Sequence, residues 1–121
     1  MLKKIISITD YIKSKTKIKP SLGIVLGTGL GAIIDKIDIE TSINYTDIPG
    51  FPVSTVEGHK GRLIFGSLSQ QQVVVMQGRF HFYEGYSMED VILPIRVMKL
   101  LGVETLFISN ASGGVNPDYE V

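Results

Sequence analysis

The densest run of reactive side chains is Gln77-Gly78-Arg79-Phe80-His81-Phe82-Tyr83-Glu84-Gly85-Tyr86. Arg79 and His81 are two residues apart, so in an extended segment they point to the same side. A guanidinium fork with an imidazole beside it suits a tetrahedral oxyanion such as phosphate. Tyr83 offers a flat face and a hydroxyl to a sugar. Glu84 can orient His81 or offset Arg79. The plainer alternative is a surface loop with an aromatic anchor, but so mixed a set of functional groups in so short a stretch rarely serves packing alone.

Three glycine-containing segments add to it. Gly27-Thr28-Gly29-Leu30-Gly31 can bring backbone N–H groups and the Thr28 hydroxyl close to an anion, or simply make a tight strand-to-helix turn. Gly58-His59-Lys60-Gly61-Arg62 is either a flap carrying His59 toward the same anion or a solvated hairpin tip. Ser109-Asn110-Ala111-Ser112-Gly113-Gly114 can present N–H groups, or be an ordinary turn. Gly27, Gly29 and Ala32 also fit the G-x-G-x-x-A dinucleotide fingerprint, with Glu40 or Asp47 as the ribose acid. Against that, Asp35, Asp38, Pro49 and Pro52 interrupt the helix and second strand required within roughly 30 residues. The Walker A lysine is absent. The two histidines lie far apart, so no metal-ligand spacing exists and no metal is expected. There is no paired-carboxylate site and no nucleophile elbow.

These groups need elements to position them. Residues 4 to 14 read as a helix with an isoleucine stripe, ended by the basic segment Lys15 to Pro20. Leu22 to Leu26 is an apolar run without alternation, as in a strand buried on both faces. A short helical stretch near Ala32 to Lys36 precedes a loop-rich region through Asp47-Ile48-Pro49-Gly50-Phe51-Pro52. Arg62 to Leu68 and Gln72 to Gln77 read as a hairpin linked by Ser69-Gln70-Gln71. Ser87 is the expected N-cap of a helix with Glu89 and Asp90 in its first turn. Met88, Val91, Ile92, Ile95, Met98 and Leu101 mark its apolar stripe, Pro94 should kink it and Gly102 should stop it. Glu104 to Ser109 is a last strand. The alternation implies an α/β fold with a mixed, largely buried sheet flanked by helices. Its binding crevice should lie at the carboxyl ends of the strands, where the loops after Leu26, Gln77 and Ser109 converge.

The bulk composition fits this picture. The 121 residues suffice for one core, and apolar residues are 44%, too many for disorder. Twelve basic and twelve acidic side chains cancel, so no net field favours nucleic acid or an anionic membrane, and an anion site must be local. The chain has no cysteine, which removes disulfides and thiolate metal sites and makes a reducing cytoplasm the expected setting. Met1-Leu2-Lys3-Lys4-Ile5-Ile6-Ser7 is too briefly apolar for a signal peptide or membrane span.

The loops, in this order, resemble those of the purine nucleoside phosphorylase and methylthioadenosine phosphorylase family, of the trimeric type. Gly27-Thr28-Gly29-Leu30-Gly31 is similar to its first phosphate loop. Ile48-Pro49-Gly50-Phe51-Pro52, Thr55, Gly58-His59 and Gly61-Arg62 are similar to its second segment. Met76 to Tyr86 is similar to its signature. Thr105 with Ser109-Asn110-Ala111-Ser112-Gly113-Gly114-Val115-Asn116-Pro117 is similar to its next block. The resemblance covers about residues 20 to 121. It implies phosphate binding by Thr28, His59, Arg79, His81 and the Ala111 amide, ribose contact by Tyr83, and catalytic roles for His81 and for Glu84 as its support. It further implies phosphorolysis of the N-glycosidic bond of purine nucleosides, with inorganic phosphate as co-substrate and no redox cofactor or metal. The implied partners are the nucleoside, phosphate and, at full length, two further copies in a homotrimer, but neither nucleic acid nor membrane. Thr28 stands where serine is frequent, keeping the hydroxyl, and Ser112 where alanine is usual. The wording around Pro49 and His81 favours the nucleoside branch over the methylthioadenosine branch. Residues 1–121 would then be the N-terminal part of a single domain, with the purine-binding Glu and Asn in a C-terminal remainder. A catalytically inactive remnant, or half of a split enzyme, is the other expectation.

Overall fold

The computed structural model describes residues 1–27, 31–53, 61–109 and 114–120. Helix α1 spans Leu2–Lys15 and buries Ile5, Ile8, Thr9 and Ile12. That spacing keeps one face apolar and leaves the lysines in water. Buried Thr9 is satisfied by donating to the Ile5 carbonyl at 2.8 Å. Lys13 and Lys15 occupy the last turn, where their charge complements the helix dipole. The chain turns extended at Thr16.

Five strands form one mixed sheet: β1 Leu22–Val25, β2 Asp38–Asn44, β3 Arg62–Leu68, β4 Gln71–Gln77 and β5 Thr105–Ile108, in the order β2-β3-β4-β1-β5. β1 runs parallel to both β4 and β5, while β2, β3 and β4 are antiparallel. The expected mixed sheet is present. The runs without alternation also have their reason. Val74, Met76, Leu63 and Phe65 face the core under α1 and α2 (Met88–Leu101). Val73, Val75 and Ile64 face a second core with Ile34 and Ile37, covered by the 3-10 turn Gly31–Lys36. Both faces of these strands are closed, so neither tolerates polar residues. The sheet is flanked by helices as expected: α1 and α2 pack together on one face, and the 3-10 turn Gly31–Lys36 covers the other.

The hairpin between β3 and β4 is tighter than expected. Leu68 pairs with Gln71, so Gln71 belongs to the strand and the loop is Ser69-Gln70. Both have positive φ, 50° and 69°, the twist-compatible type I′ geometry, here without glycine.

The segment 38–44, expected as loop, is an edge strand. It pairs with β3 through a register shift between Ile39 and Thr41, and Ile43 is its one buried residue. A strand with one covered position and a bulge has no clear period to read. Helix α2 begins as expected, with Ser87 Oγ accepting from the Asp90 N–H at 3.1 Å, and stops at Gly102. It continues through Pro94, which is itself buried. Its inner face is Leu93, Pro94, Val97, Met98 and Leu101. Met88 is exposed, and Val91, Ile92 and Ile95 are half-buried. The true stripe is thus rotated relative to the expected one, because Pro94 was left out of it.

Strand β5 is the other edge. Phe107 and Ile108 are 55% and 54% exposed, although their sequence reads as a buried strand. Beside it, Ile95, Met98, Val103 and Leu106 line an open groove of about 190 Å³, rimmed by Lys99 and Glu104. No helix among the described residues is long and apolar enough to cross a membrane. An unpaired edge with exposed aromatic and aliphatic groups is a template for association. Sedimentation velocity of the purified chain should show self-association, and Phe107→Lys with Ile108→Lys should shift it toward monomer. A wild-type chain that sediments as a sharp monomer at every concentration would refute this.

Candidate active site

The parallel run β4-β1-β5 brings the carboxyl ends of three strands to one edge, where the sequence expects the binding crevice. Leu26 N–H donates to Met76 O at 3.1 Å, and Ser109 N–H donates to Val25 O at 3.3 Å. The Gly27 N–H donates to Ser109 Oγ at 2.9 Å. Arg79 Nη1 donates to the Ser109 carbonyl. Ser109 therefore stitches the β1 loop and the β4 loop to the end of β5. Sequence reasoning placed Ser109 at a loop start but did not foresee this junction.

The loop after β4 alternates. Phe80 is buried among Tyr45, Phe51 and Tyr86, at centroid distances of 5.2, 6.0 and 5.2 Å. Its neighbours Arg79 and His81 stay half-exposed, consistent with the two-residue spacing. A 3-10 turn, Phe82–Glu84, follows, closed by Gly85 in the left-handed region. Glu84 Oε1 meets His81 Nδ1 and also accepts from the His81 N–H at 3.2 Å. An ionised carboxylate can only accept, so in the Nδ1–H tautomer the ring donates to Glu84 and Nε2 is the acceptor left for other work. Tyr83 stacks on the His81 ring at 4.8 Å and 20°, and is 82% exposed. Arg79, His81, Tyr83 and Glu84 are thus gathered on one short loop. Thr28, His59 and Ala111 lie outside the described residues.

Other candidates go elsewhere. Arg62, in the second basic cluster, donates to Gln77 Oε1 at 2.7 Å and Ser42 Oγ at 3.2 Å, bracing three strands. Glu40 accepts from Thr16 Oγ1 at 2.6 Å and Thr41 Oγ1 at 2.9 Å, and these bonds lower its pKa. It sits on β2, at the far edge from β1. Asp47 is itself exposed, at the end of the 3-10 turn Tyr45–Asp47. A dinucleotide fold needs its second strand parallel and beside the first, with the acid at its end. Here β1's parallel neighbours are β4 and β5, so that reading fails on topology. Among the described residues no cluster of three or more His, Cys, Asp or Glu could hold a metal. Tyr45, which the sequence did not single out, donates through its hydroxyl to the Gly78 carbonyl. It is a lone aromatic before a turn, with no spacing signal.

Residues 21–121 match the family model described as the phosphorylase superfamily. The chain belongs to the phosphorylase superfamily. It is similar to purine nucleoside phosphorylase 1 of Geobacillus stearothermophilus, 56% identical over 111 residues, which cover 92% of this chain and 40% of the relative. It is similar in structure to a purine nucleoside phosphorylase in complex with ribose-1-phosphate, with a TM-score of 0.90 and 52% identity over 99% of this chain and 44% of that one. The Schistosoma mansoni purine nucleoside phosphorylase in complex with inosine gives a TM-score of 0.89 at 50% identity, covering 98% of this chain and 41% of that one. The chain thus spans about two fifths of the length of the curated superfamily relative.

Within this superfamily member, Arg79 is the fixed cation of the loop. The resemblance expects phosphate at Arg79, and on that expectation Arg79→Ala weakens inorganic phosphate binding by about 1.5–3 kcal/mol, the worth of a charge-assisted contact. Calorimetric titration checks this; unchanged affinity would remove Arg79 from the site.

Proposed function

We propose that the chain provides the phosphate-binding part of a purine nucleoside phosphorylase. The observation that carries this is the loop after β4, where Arg79 is held by Ser109 and His81 by Glu84 at the edge shared by three parallel strand ends. A tethered guanidinium neutralises the phosphate at fixed geometry. His81, its Nδ1 proton turned to Glu84, can accept a phosphate proton at Nε2, and the carboxylate then stabilises the imidazolium. Thr28, His59 and the Ala111 amide would complete the cradle. Exposed Tyr83 offers its ring and hydroxyl to the ribose.

In the proposed reaction a phosphate oxygen attacks the anomeric carbon as the carbon–nitrogen bond to the purine breaks. The bonding pair leaves with the base, which takes up a proton from solvent in place of the one phosphate gave up to His81, giving the free purine and ribose 1-phosphate. Holding the nucleophile in place supplies a large part of the acceleration by proximity. Neither metal nor redox cofactor takes part. The purine-binding Glu and Asn belong to the remainder that the relatives carry beyond the matched segment. A homotrimer in the cytoplasm is the proposed working state; the absence of cysteine supports the compartment. Pro49-Gly50-Phe51-Pro52 and the names of the relatives support the nucleoside branch over the methylthioadenosine branch.

Residues 1–121 alone are expected to release no hypoxanthine from inosine and phosphate. A chimera placing them in the matched segment of the Geobacillus stearothermophilus relative should release it, and His81→Ala should lower kcat/KM more than His59→Ala. An inactive but folded chimera would make the chain a catalytically dead remnant. A larger loss at His59 would reverse the ranking of the two loops.

A further inference from the structure

We propose that Tyr45 is a positioning residue that sets the backbone at Gly78 and, through it, the guanidinium of Arg79; only the identity of the anion rests on the phosphorylase reading. Tyr45 follows β2 and opens a 3-10 turn, Tyr45–Asp47. Its ring is buried against Phe51 and Phe80, at 5.1 and 5.2 Å between centroids. Its hydroxyl donates to the Gly78 carbonyl. Its backbone N–H donates to the Gly61 carbonyl at 3.1 Å.

Gly61 immediately precedes β3, and Gly78 immediately follows β4. Arg62 and Gln77 are the last registered pair between those strands at this end. Beyond that pair the ladder stops, and Tyr45 takes over its work. One residue binds the main chain on both sides, through its amide and through its hydroxyl. Gly78 has φ of 97°, a conformation glycine reaches and most residues avoid. A Cβ on Gly61 would collide with the Tyr45 ring, so the bare glycine lets the ring lie against the backbone.

Packing alone does not account for the hydroxyl. A phenylalanine would fill the same space, and a buried hydroxyl is costly unless it is bonded. The carbonyl of Gly78 is the partner the structure provides. Burial also pushes the Tyr45 pKa well above the ordinary tyrosine range, so the group remains a donor at any working pH. The bond is directional, and it acts one residue before Arg79, at a glycine in the positive-φ region. Phe80 fixes the depth of the loop in the aromatic cluster. The hydroxyl fixes the orientation of the peptide that leads into Arg79. With both in place, the guanidinium reaches the Ser109 carbonyl.

The test compares wild type, Tyr45→Phe and a chain with 4-aminophenylalanine at position 45, which keeps a donor at the ring's end. Two quantities are read at one temperature, below the melting temperature of wild type. One is the Kd for inorganic phosphate. The other is the solvent-exchange rate of the Arg79 Nη1–H protons in ¹⁵N-labelled protein without phosphate, assigned by their loss in Arg79→Lys. Tyr45→Phe should stay folded by circular dichroism, raise the Kd about threefold to tenfold, the scale of one hydrogen bond, and speed Arg79 exchange. The amino analogue should restore most of both. A folded Tyr45→Phe with unchanged Kd and unchanged exchange overturns the proposal. So does a Tyr45→Phe that is unfolded at the titration temperature, because the hydroxyl would then hold the fold and not the loop. If wild type binds no phosphate, the phosphate reading fails, and the Arg79 exchange rate alone decides the role of Tyr45.

Discussion

A guanidinium on a loop serves an anion well only if the protein has already fixed where it stands. Here that constraint is the hydrogen bond from Arg79 to the carbonyl of Ser109. It requires the end of β4 and the end of β5 to lie on the same edge with β1 between them, which only parallel neighbours provide. It also requires Ser109 to be held, and its amide and side chain are engaged with Val25 and Gly27. The two apolar cores above and below the central strands keep those strands in register. The site is therefore a product of the sheet's order as much as of the loop's chemistry.

The same logic divides what could be read in the sequence from what could not. The loop 77–86 announced itself because its groups are local: Arg79, His81, Tyr83 and Glu84 are neighbours in the chain, and they meet in space. The doubly covered strands were legible because burial on both faces abolishes alternation. The N-cap at Ser87 and the stop at Gly102 are local chemistry too. Strand β2 was not legible, since its partner β3 lies about twenty residues on, past a turn, and its bulge erases the period. The tilt of α2's buried face was missed because Pro94 reads as a breaker before it reads as an apolar surface. Tyr45 and Ser109 were invisible as functional residues: each acts on a main-chain carbonyl far away in sequence, and no composition or spacing marks such a bond. Strand β5 was legible as a strand but not as an edge, because apolarity says what a residue needs and not whether a neighbour supplies it.

The neutral overall charge gives the site its character. With twelve positive and twelve negative side chains, there is no broad field to collect anions. In the proposed function, attraction of phosphate is short-ranged and rests on Arg79. Glu84, the nearest acid in the loop, is occupied by the His81 ring and amide. An acid that would otherwise oppose the incoming anion is turned toward the imidazole. This gives the loop both a cation and a proton acceptor without a net charge on the chain.

The β3–β4 turn has a different kind of value. Ser69-Gln70 sits at the opposite end of the sheet from Gln77, separated from the anion loop by the full length of β4. It adopts a tight geometry without glycine, and none of Arg79, His81, Tyr83 and Glu84 lies near it in the ladder. The molecule consequently has a working end and a quiet end. A dye, a tether or an inserted peptide at the quiet end would leave the anion loop chemically untouched, which makes the hairpin tip the natural handle for observing or immobilising this chain.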